Sequence, residues 1–220
     1  MLKLRDYLPL LTVRTAARIL KDYTGMVADI ACGNGALFKE IRNGGNKNIF
    51  GIDISWNQII GARAKGASVV MGNILEMPFK NRIFDTAVCL NTIYNFASLP
   101  EFEPAFKEMI RVVKDNGRIL IDIRNKKNPI IRLKFWRHNR KKLFPTIPYY
   151  TEDIEIAMKA VGCRLLQKSA VGIDNPYLAW GYIMVFEKEK DDCTDLKADY
   201  TDDGKLADGF NLCNRFSKSV

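Results

Sequence analysis

Met26-Val27-Ala28-Asp29-Ile30-Ala31-Cys32-Gly33-Asn34-Gly35 is the stretch on which the fold turns. Met26–Ala31 is a short, mostly apolar run bounded by turn residues, the pattern of a buried strand. Gly33-Asn34-Gly35 ends it, and Leu37–Arg42 then has the spacing of a helix. Glycines admit a positive φ and let the backbone come close to a ligand, and a helix N-terminus turns free N–H groups toward an anion. Strand, tight turn and helix are also the building unit of a parallel α/β sheet. On its own the turn reads equally as an ordinary strand-to-helix connection. A dinucleotide site is excluded, because G-x-G-x-x-G needs a third glycine and that position is Phe38.

Outward from the turn, strands and helices alternate. Upstream, Arg14–Tyr23 reads as an opening helix with Ala17 and Leu20 inward, and Pro9 interrupts the apolar run before it. Downstream come a strand over Asn48–Ile54 with Asp53 near its end, a helix over Trp56–Lys65, and strands over Ser68–Gly72 and Phe84–Leu90. Pro104 suits a helix start, and Phe102, Phe106, Met109, Ile110 and Val113 form its apolar stripe. Asn116-Gly117 turns into a strand over Arg118–Ile123. Thr151 reads as an N-cap, followed by Glu152 and Asp153 in the first turn, and Gly162 as the helix stop. Cys163–Val171 and Tyr177–Glu187 read as a final strand pair, the second antiparallel.

The 220 residues suffice for one core over 1–188, followed by a polar tail over 189–220 that contains Asp202-Asp203-Gly204. No apolar run approaches the roughly 20 residues of a membrane span, and no signal-peptide pattern opens the chain, so a cytoplasmic protein is expected. Cys32, Cys89, Cys163, Cys193 and Cys213 are scattered, and His138 is the sole histidine, so no metal site is expected. The net charge of +9 is local: residues 124–142 hold nine Lys/Arg, from Arg124 to Lys142, and no acid.

Five segments in order carry a resemblance. Val27-Ala28-Asp29-Ile30-Ala31-Cys32-Gly33-Asn34-Gly35-Ala36 resembles the first motif of class I S-adenosylmethionine-dependent methyltransferases, V-L-D-x-G-C-G-x-G. Gly51-Ile52-Asp53-Ile54-Ser55 resembles their second motif, and Gly72–Phe79 (G-N-I-L-E-M-P-F) resembles G-D-A-x-x-L-P-F. Phe84–Val88 resembles F-D-x-V, and Ile110–Ile121 resembles R-V-L-K-P-G-G-x-L-x-I. The resemblance implies a Rossmann-like, doubly wound α/β fold: a seven-stranded, mostly parallel sheet with one antiparallel strand and helices on both faces. It implies S-adenosyl-L-methionine as cofactor. Asp29 would lie near the cofactor's amino group, and Ala31, Cys32, Gly33, Asn34 and Gly35 would receive its methionine part. Asp53 would accept the ribose hydroxyls. Ile54 would pack on the adenine, Asn73 and Ile74 would sit beside it, and Leu90 and Asn91 would line the methyl-donor pocket.

Bland readings stand beside these. Asp53 reads also as a solvated strand-end acid, and Asn73 as a turn residue capping its own backbone. Asp85 reads as a fixer of the fourth strand's edge. Asp115-Asn116-Gly117 departs from Pro-Gly-Gly, and Ala31 stands where the family has glycine, a mild change only if φ is negative there.

Methyl transfer from a sulfonium needs mainly in-line positioning, with a base if the acceptor atom is protonated. Tyr94 and His138 are the candidate catalytic residues, Tyr94 also reading as a packed aromatic and His138 as a surface residue. Residues 124–150 form a basic, acceptor-side insertion, with Ile130, Ile131, Leu133, Phe135, Trp136, Leu143 and Phe144 among the charges. It reads as a lid for a small anionic or amphiphilic acceptor, as a nucleic-acid contact, or as a solvated face. A peripheral membrane contact through 124–144 is a weaker reading. Asn91-Thr92-Ile93-Tyr94 lacks the Asn/Asp-Pro-Pro-aromatic loop of amine-modifying nucleic-acid enzymes, which favours a small-molecule acceptor over RNA. A non-catalytic binding protein is the remaining alternative.

Overall fold

The computed structural model describes residues 4–43, 48–140 and 146–190. Gly44-Gly45, Lys141, Lys142, Leu143, Phe144, and the tail from 191 on with Cys193 and Cys213 lie outside the described residues.

The elements in chain order are α1 (Leu4–Ile19), β1 (Val27–Ile30), α2 (Ala36–Asn43), β2 (Ile49–Asp53), α3 (Trp56–Ala64), β3 (Ser68–Met71) and β4 (Phe84–Cys89). A 3-10 turn follows (Ile93–Asn95), then α4 (Leu99–Val112), β5 (Val113–Arg124), α5 (Pro129–Asn139), α6 (Thr151–Ala160), β6 (Cys163–Val171) and β7 (Gly181–Lys188). The strand order is β3-β2-β1-β4-β5-β7-β6. β7 runs antiparallel to β5 and β6, and the remaining pairs are parallel. This is the expected doubly wound sheet of seven strands with one reversed.

Strand alternation divides the core into two layers. In β5, Ile119, Ile121 and Ile123 join Phe102, Phe106 and Met109 of α4 on one face. Leu120 joins Val13 and Ala16 of α1, Leu37 of α2 and Ile59 of α3 on the other. Successive strand residues point to opposite faces, so Asp122 and Arg124 share the α1 face with Leu120. Between β1 and β4 the chain order reverses. A crevice opens there at the C-terminal ends of the strands, the usual ligand position in such sheets.

Four local expectations are corrected. The opening helix begins ten residues earlier and runs through Pro9, with Thr12 Oγ1 donating to the Leu8 carbonyl at 3.0 Å and Thr15 Oγ1 to the Leu11 carbonyl at 2.9 Å. α4 begins at Leu99, with Pro100 in its first turn and Pro104 inside it. A proline near a helix start removes few hydrogen bonds, and burial of Phe102, Ala105 and Phe106 outweighs that loss. Asp115-Asn116-Gly117 is not a turn before a strand. β5 already starts at Val113, its pairing with β4 is irregular between Phe84 and Thr86, and Asn116 sits at φ +58°. That is a bulge, which adds residues to one strand without ending it. Thr151 is the first helical residue of α6 and not its cap; the N–H of Tyr150 before it donates to Asp153 Oδ2 at 3.4 Å. Gly162 closes α6 at φ +81° as expected.

Candidate functional site

A cavity of about 420 Å³ opens at the end of β1. Asp29, Ala31, Cys32, Gly33 and Asn34 form one wall, Leu90, Asn91 and Thr92 after β4 form a second, and Pro9, Leu10 and Val13 of α1 cover it. The turn holds three residues at positive φ: Ala31 (+57°), Gly33 (+52°) and Gly35 (+77°). Ala31 therefore lies in the left-handed region, where a Cβ costs roughly 1 kcal/mol. The mild reading of this departure from glycine is overturned. Gly35 also lies close to α3, since a Cβ on it would meet Ala62 Cβ at 3.3 Å. The Cys32 thiol is buried beside two acids, and burial pushes its pKa up, so it is a neutral wall group.

Asp29 is only 4% exposed, and no cation pairs with it among the described residues. Burial, and then the charge of Asp53, push its carboxyl up to about 8. A buried acid without a counter-charge, aimed into a cavity, suits a ligand that brings a cation.

Asp53 ends β2 and is also buried. Its Oδ2 accepts from the Gly33 N–H and its Oδ1 from the Ser55 N–H, both at 2.8 Å. It is no solvated strand-end acid: it ties the β1 turn to the β2 turn, and each oxygen retains a further lone pair. Ile54 beside it is 71% exposed, an apolar surface without a protein neighbour over most of its area. Asn73 Oδ1 accepts from the Leu75 N–H at 3.0 Å, the self-capping arrangement. The Ile74 side chain is buried in the α4-side core, which leaves only its backbone for a ligand. The cavity thus gathers Asp29, Ala31, Cys32, Gly33 and Asn34 with Leu90 and Asn91, whereas Gly35, Asp53, Ile54, Asn73 and Ile74 are not among its lining residues.

Behind Asn91 lies a network absent from the sequence reading. Asp122 (0% exposed) and Arg124 (4%) pair through Nη1 and Oδ2 at 3.1 Å. Arg124 also donates to Thr12 Oγ1 of α1 at 3.0 Å and to Asn91 Oδ1. The Asn91 N–H donates to Asp122 Oδ1, and Asn91 sits at φ +57°. Arg124 is therefore the buried end of β5 and not part of a surface basic patch. Two opposite charges at i and i+2 in a strand share a face, and that spacing was readable in Asp122-Ile123-Arg124.

The Arg124 guanidinium lies 5.0 Å from the Tyr94 ring centroid. Burial raises the Tyr94 pKa despite that cation, so its hydroxyl stays protonated at neutral pH. His138, in the last turn of α5, is half-buried, and its Nε2 has no hydrogen-bond partner among the described residues. Neither residue lines this cavity. Asp85 does fix the strand edge, accepting from the Met26 N–H at 2.8 Å and from Lys114 Nζ at 2.7 Å. Among the described residues no group of three or more His, Cys, Asp or Glu could hold a metal, and no helix is long and apolar enough to cross a membrane.

Residues 28–121 match the family model described as a methyltransferase domain. The chain is 34% identical over 117 residues to a demethylmenaquinone methyltransferase of Staphylococcus aureus, covering 47% of this chain and 46% of that protein. It is 31% identical over 98 residues to the tRNA (carboxymethyluridine(34)-5-O)-methyltransferase of Xenopus tropicalis, covering 44% of this chain and 15% of that one. It thus spans about half or less of the length of the curated relatives it matches. The magnesium protoporphyrin IX methyltransferase of Synechocystis, solved with S-adenosylhomocysteine bound, shares the fold at TM-score 0.67 and 16% identity, with 86% of this chain and 89% of that chain covered. With the matched residues 28–121 running from β1 into β5 around the cavity, this part of the chain matches the methyltransferase-domain family, and the sheet has the fold of solved S-adenosylmethionine-dependent methyltransferases.

Proposed function

We propose that this chain binds S-adenosyl-L-methionine in the β1–β4 crevice and transfers its methyl group to a small-molecule or amphiphilic acceptor. The observation that carries the reading is Asp29, buried and uncompensated in the wall of the cavity. The cofactor, when bound, supplies an activated methyl group on a sulfonium together with an ammonium and a carboxylate. Asp29 would hold the ammonium. The N-terminal N–H groups of α2 would face the carboxylate, a favourable dipole interaction. Asp53 would accept the ribose hydroxyls with its remaining lone pairs, Ile54 would cover the adenine, and Asn73 with the Ile74 backbone would flank it. Leu90 and Asn91, the latter held by Asp122 and Arg124, would border the methyl group. Orientation of donor and acceptor supplies most of the rate in such a transfer.

In this reading 1–188 is the catalytic domain of a cytoplasmic enzyme, and 124–150 is its acceptor side. Titration calorimetry with S-adenosylmethionine and S-adenosylhomocysteine tests it, together with labelled-methyl transfer to metabolite, lipid and RNA fractions. Micromolar binding of both and label in a small-molecule or lipid fraction are expected; no binding of either sinks the reading. RNA is the second acceptor reading, favoured by a tRNA methyltransferase among the relatives and by the basic α5. It requires label in RNA and binding that weakens steeply with salt.

A further inference from the structure

A second cavity, of about 560 Å³, lies between α5 and the segment Thr146–Pro148. We infer that it holds the acceptor, and that the acceptor is an anionic amphiphile: an apolar or aromatic body carrying a carboxylate, phosphate or sulfonate. This inference rests on the methyl-transfer reading above.

The cavity's frame is fixed from both ends. Asn139 at the end of α5 clamps Thr146, its Nδ2 donating to the Thr146 carbonyl at 2.9 Å and its Oδ1 accepting from the Thr146 N–H at 3.0 Å. At the other end, the Tyr149 N–H donates to the Arg124 carbonyl at 3.0 Å, and the Lys126 N–H donates to the Tyr149 carbonyl at 3.1 Å. At the start of α5, Asn128 Oδ1 accepts from the Ile130 and Ile131 N–H groups. The space is therefore held open by hydrogen bonds on three sides.

Its lining is chemically one-sided. Leu133, Phe135, Trp136 and Ile147 supply apolar and aromatic surface, Lys126 and Arg132 supply two cations, and no acid is among the described lining residues. Leu133 and Trp136 are 56% and 55% exposed, although their neighbours Ile131 and Phe135 are buried against Leu8 of α1. No ion pair engages Arg132 among the described residues. The Lys126 ammonium lies 4.7 Å from the Tyr150 ring centroid and has no acid beside it among the described residues. Exposed aromatic and aliphatic groups around two cations without a paired acid match a ligand with an apolar body and a negative end.

Tyr94 joins this cavity to the donor site. Its carbonyl accepts from the Ile147 N–H at 3.0 Å, and its ring meets Phe135 edge-on with centroids 5.9 Å apart. The cation on its ring, Arg124, is the one that holds Asn91 in the donor cavity. Both cavities are thus built on the segments that leave the C-terminal ends of β4 and β5, with one aromatic residue shared between them.

The test uses the full chain and two fluorescent probes with the same rings: anionic 1-anilinonaphthalene-8-sulfonate and uncharged N-phenyl-1-naphthylamine. The anionic probe is expected to bind more tightly, with energy transfer from tryptophan that falls in Trp136→Phe. Arg132→Glu should weaken the anionic probe about tenfold, as for loss of a charged hydrogen bond, and leave the neutral probe unchanged. Lys126→Glu, on a separate segment, should act in the same direction. Monomeric decanoate should displace the anionic probe. Equal affinity for both probes, or no change in either charge-reversal variant, overturns the proposal. Displacement by phosphatidylglycerol vesicles but not by decanoate overturns it in favour of a membrane surface. Displacement by tRNA alone overturns it in favour of nucleic acid. S-adenosylhomocysteine titrated into the same samples separates the two readings: probe binding without it leaves the cavity and removes the methyl-transfer reading, and the converse removes only the acceptor proposal.

Discussion

Asp29 and Asp122 end up in similar places with opposite circumstances. They lie on β1 and β5, the two strands that flank β4, and both are buried on the face that α1 covers. Asp122 has its cation inside the chain, Arg124 at 3.1 Å, and an N–H from Asn91. Asp29 has neither among the described residues; its strongest electrostatic neighbour is another acid, Asp53. A buried charge is stable only when paired. Asp122 is thus a structural group that braces Asn91, and in the proposed reading Asp29 is a group that the cofactor's ammonium completes. The difference separates scaffold from site within one layer of the same sheet.

Breaking the scaffold member should have the largest effect. Arg124→Met leaves Asp122 buried without its partner and should cost about 3–5 kcal/mol of folding stability. Urea denaturation measures it, and the Asp122→Leu/Arg124→Met double variant should recover much of the loss. Asp29→Asn should behave in the opposite way. It should weaken cofactor binding by about 1.5–3 kcal/mol, the value of a hydrogen bond to a charged group, while stability at pH 8 holds or rises. The sign follows from linkage. The folded-state pKa of about 8 lies above the ordinary 3.8, so the Asp29 contribution is fully present below pH 3.8 and is lost as pH rises through 8. Asparagine removes that loss.

Asp53→Ala should weaken cofactor binding by about 1–3 kcal/mol. Because Asp53 also accepts from Gly33 and Ser55, it should loosen the turn, visible as faster amide exchange at those two N–H groups. The smallest effect is expected at Ala31. Glycine there relieves the cost of φ +57° and should raise stability by up to about 1 kcal/mol, read as a shift in the denaturation midpoint.

The residues of the proposed donor side were legible as strand-end and turn positions because their signals are local. Asp29, Gly33, Gly35 and Asp53 stand at or near strand ends, where short apolar runs meet turn residues. β1 to β4 and β6 fall near their expected spans, whereas β5 starts five residues earlier and β7 four residues later than expected. The scaffold side was hidden because its signals are tertiary. Arg124 looked like one of nine basic residues, and only the length of β5 brings it into the core beside Asp122. Pro9 looked like an interruption, yet α1 runs through it because Leu8, Val13 and Ala16 bury themselves and so place Pro9 and Leu10 over the cavity. Pro104 misled for the same reason. The Asn116 bulge depends on the register with β4, which no local residue announces. On the proposed acceptor side, composition showed charge and aromatics together but not that Thr146–Pro148 folds back on α5 to make a cavity.

If Asp29 waits for a ligand's cation, binding of that ligand must drive its carboxyl from the protonated to the ionised form. Titration calorimetry of S-adenosylhomocysteine at pH 7, repeated in buffers of different ionisation enthalpy, measures the protons exchanged. The expected result is release of most of one proton per molecule bound at pH 7, with affinity that rises toward pH 8 and an exchange that vanishes in Asp29→Asn. Binding that releases no proton and keeps the same affinity from pH 6 to pH 8 would contradict the assignment of Asp29 as the unpaired acid of the donor site.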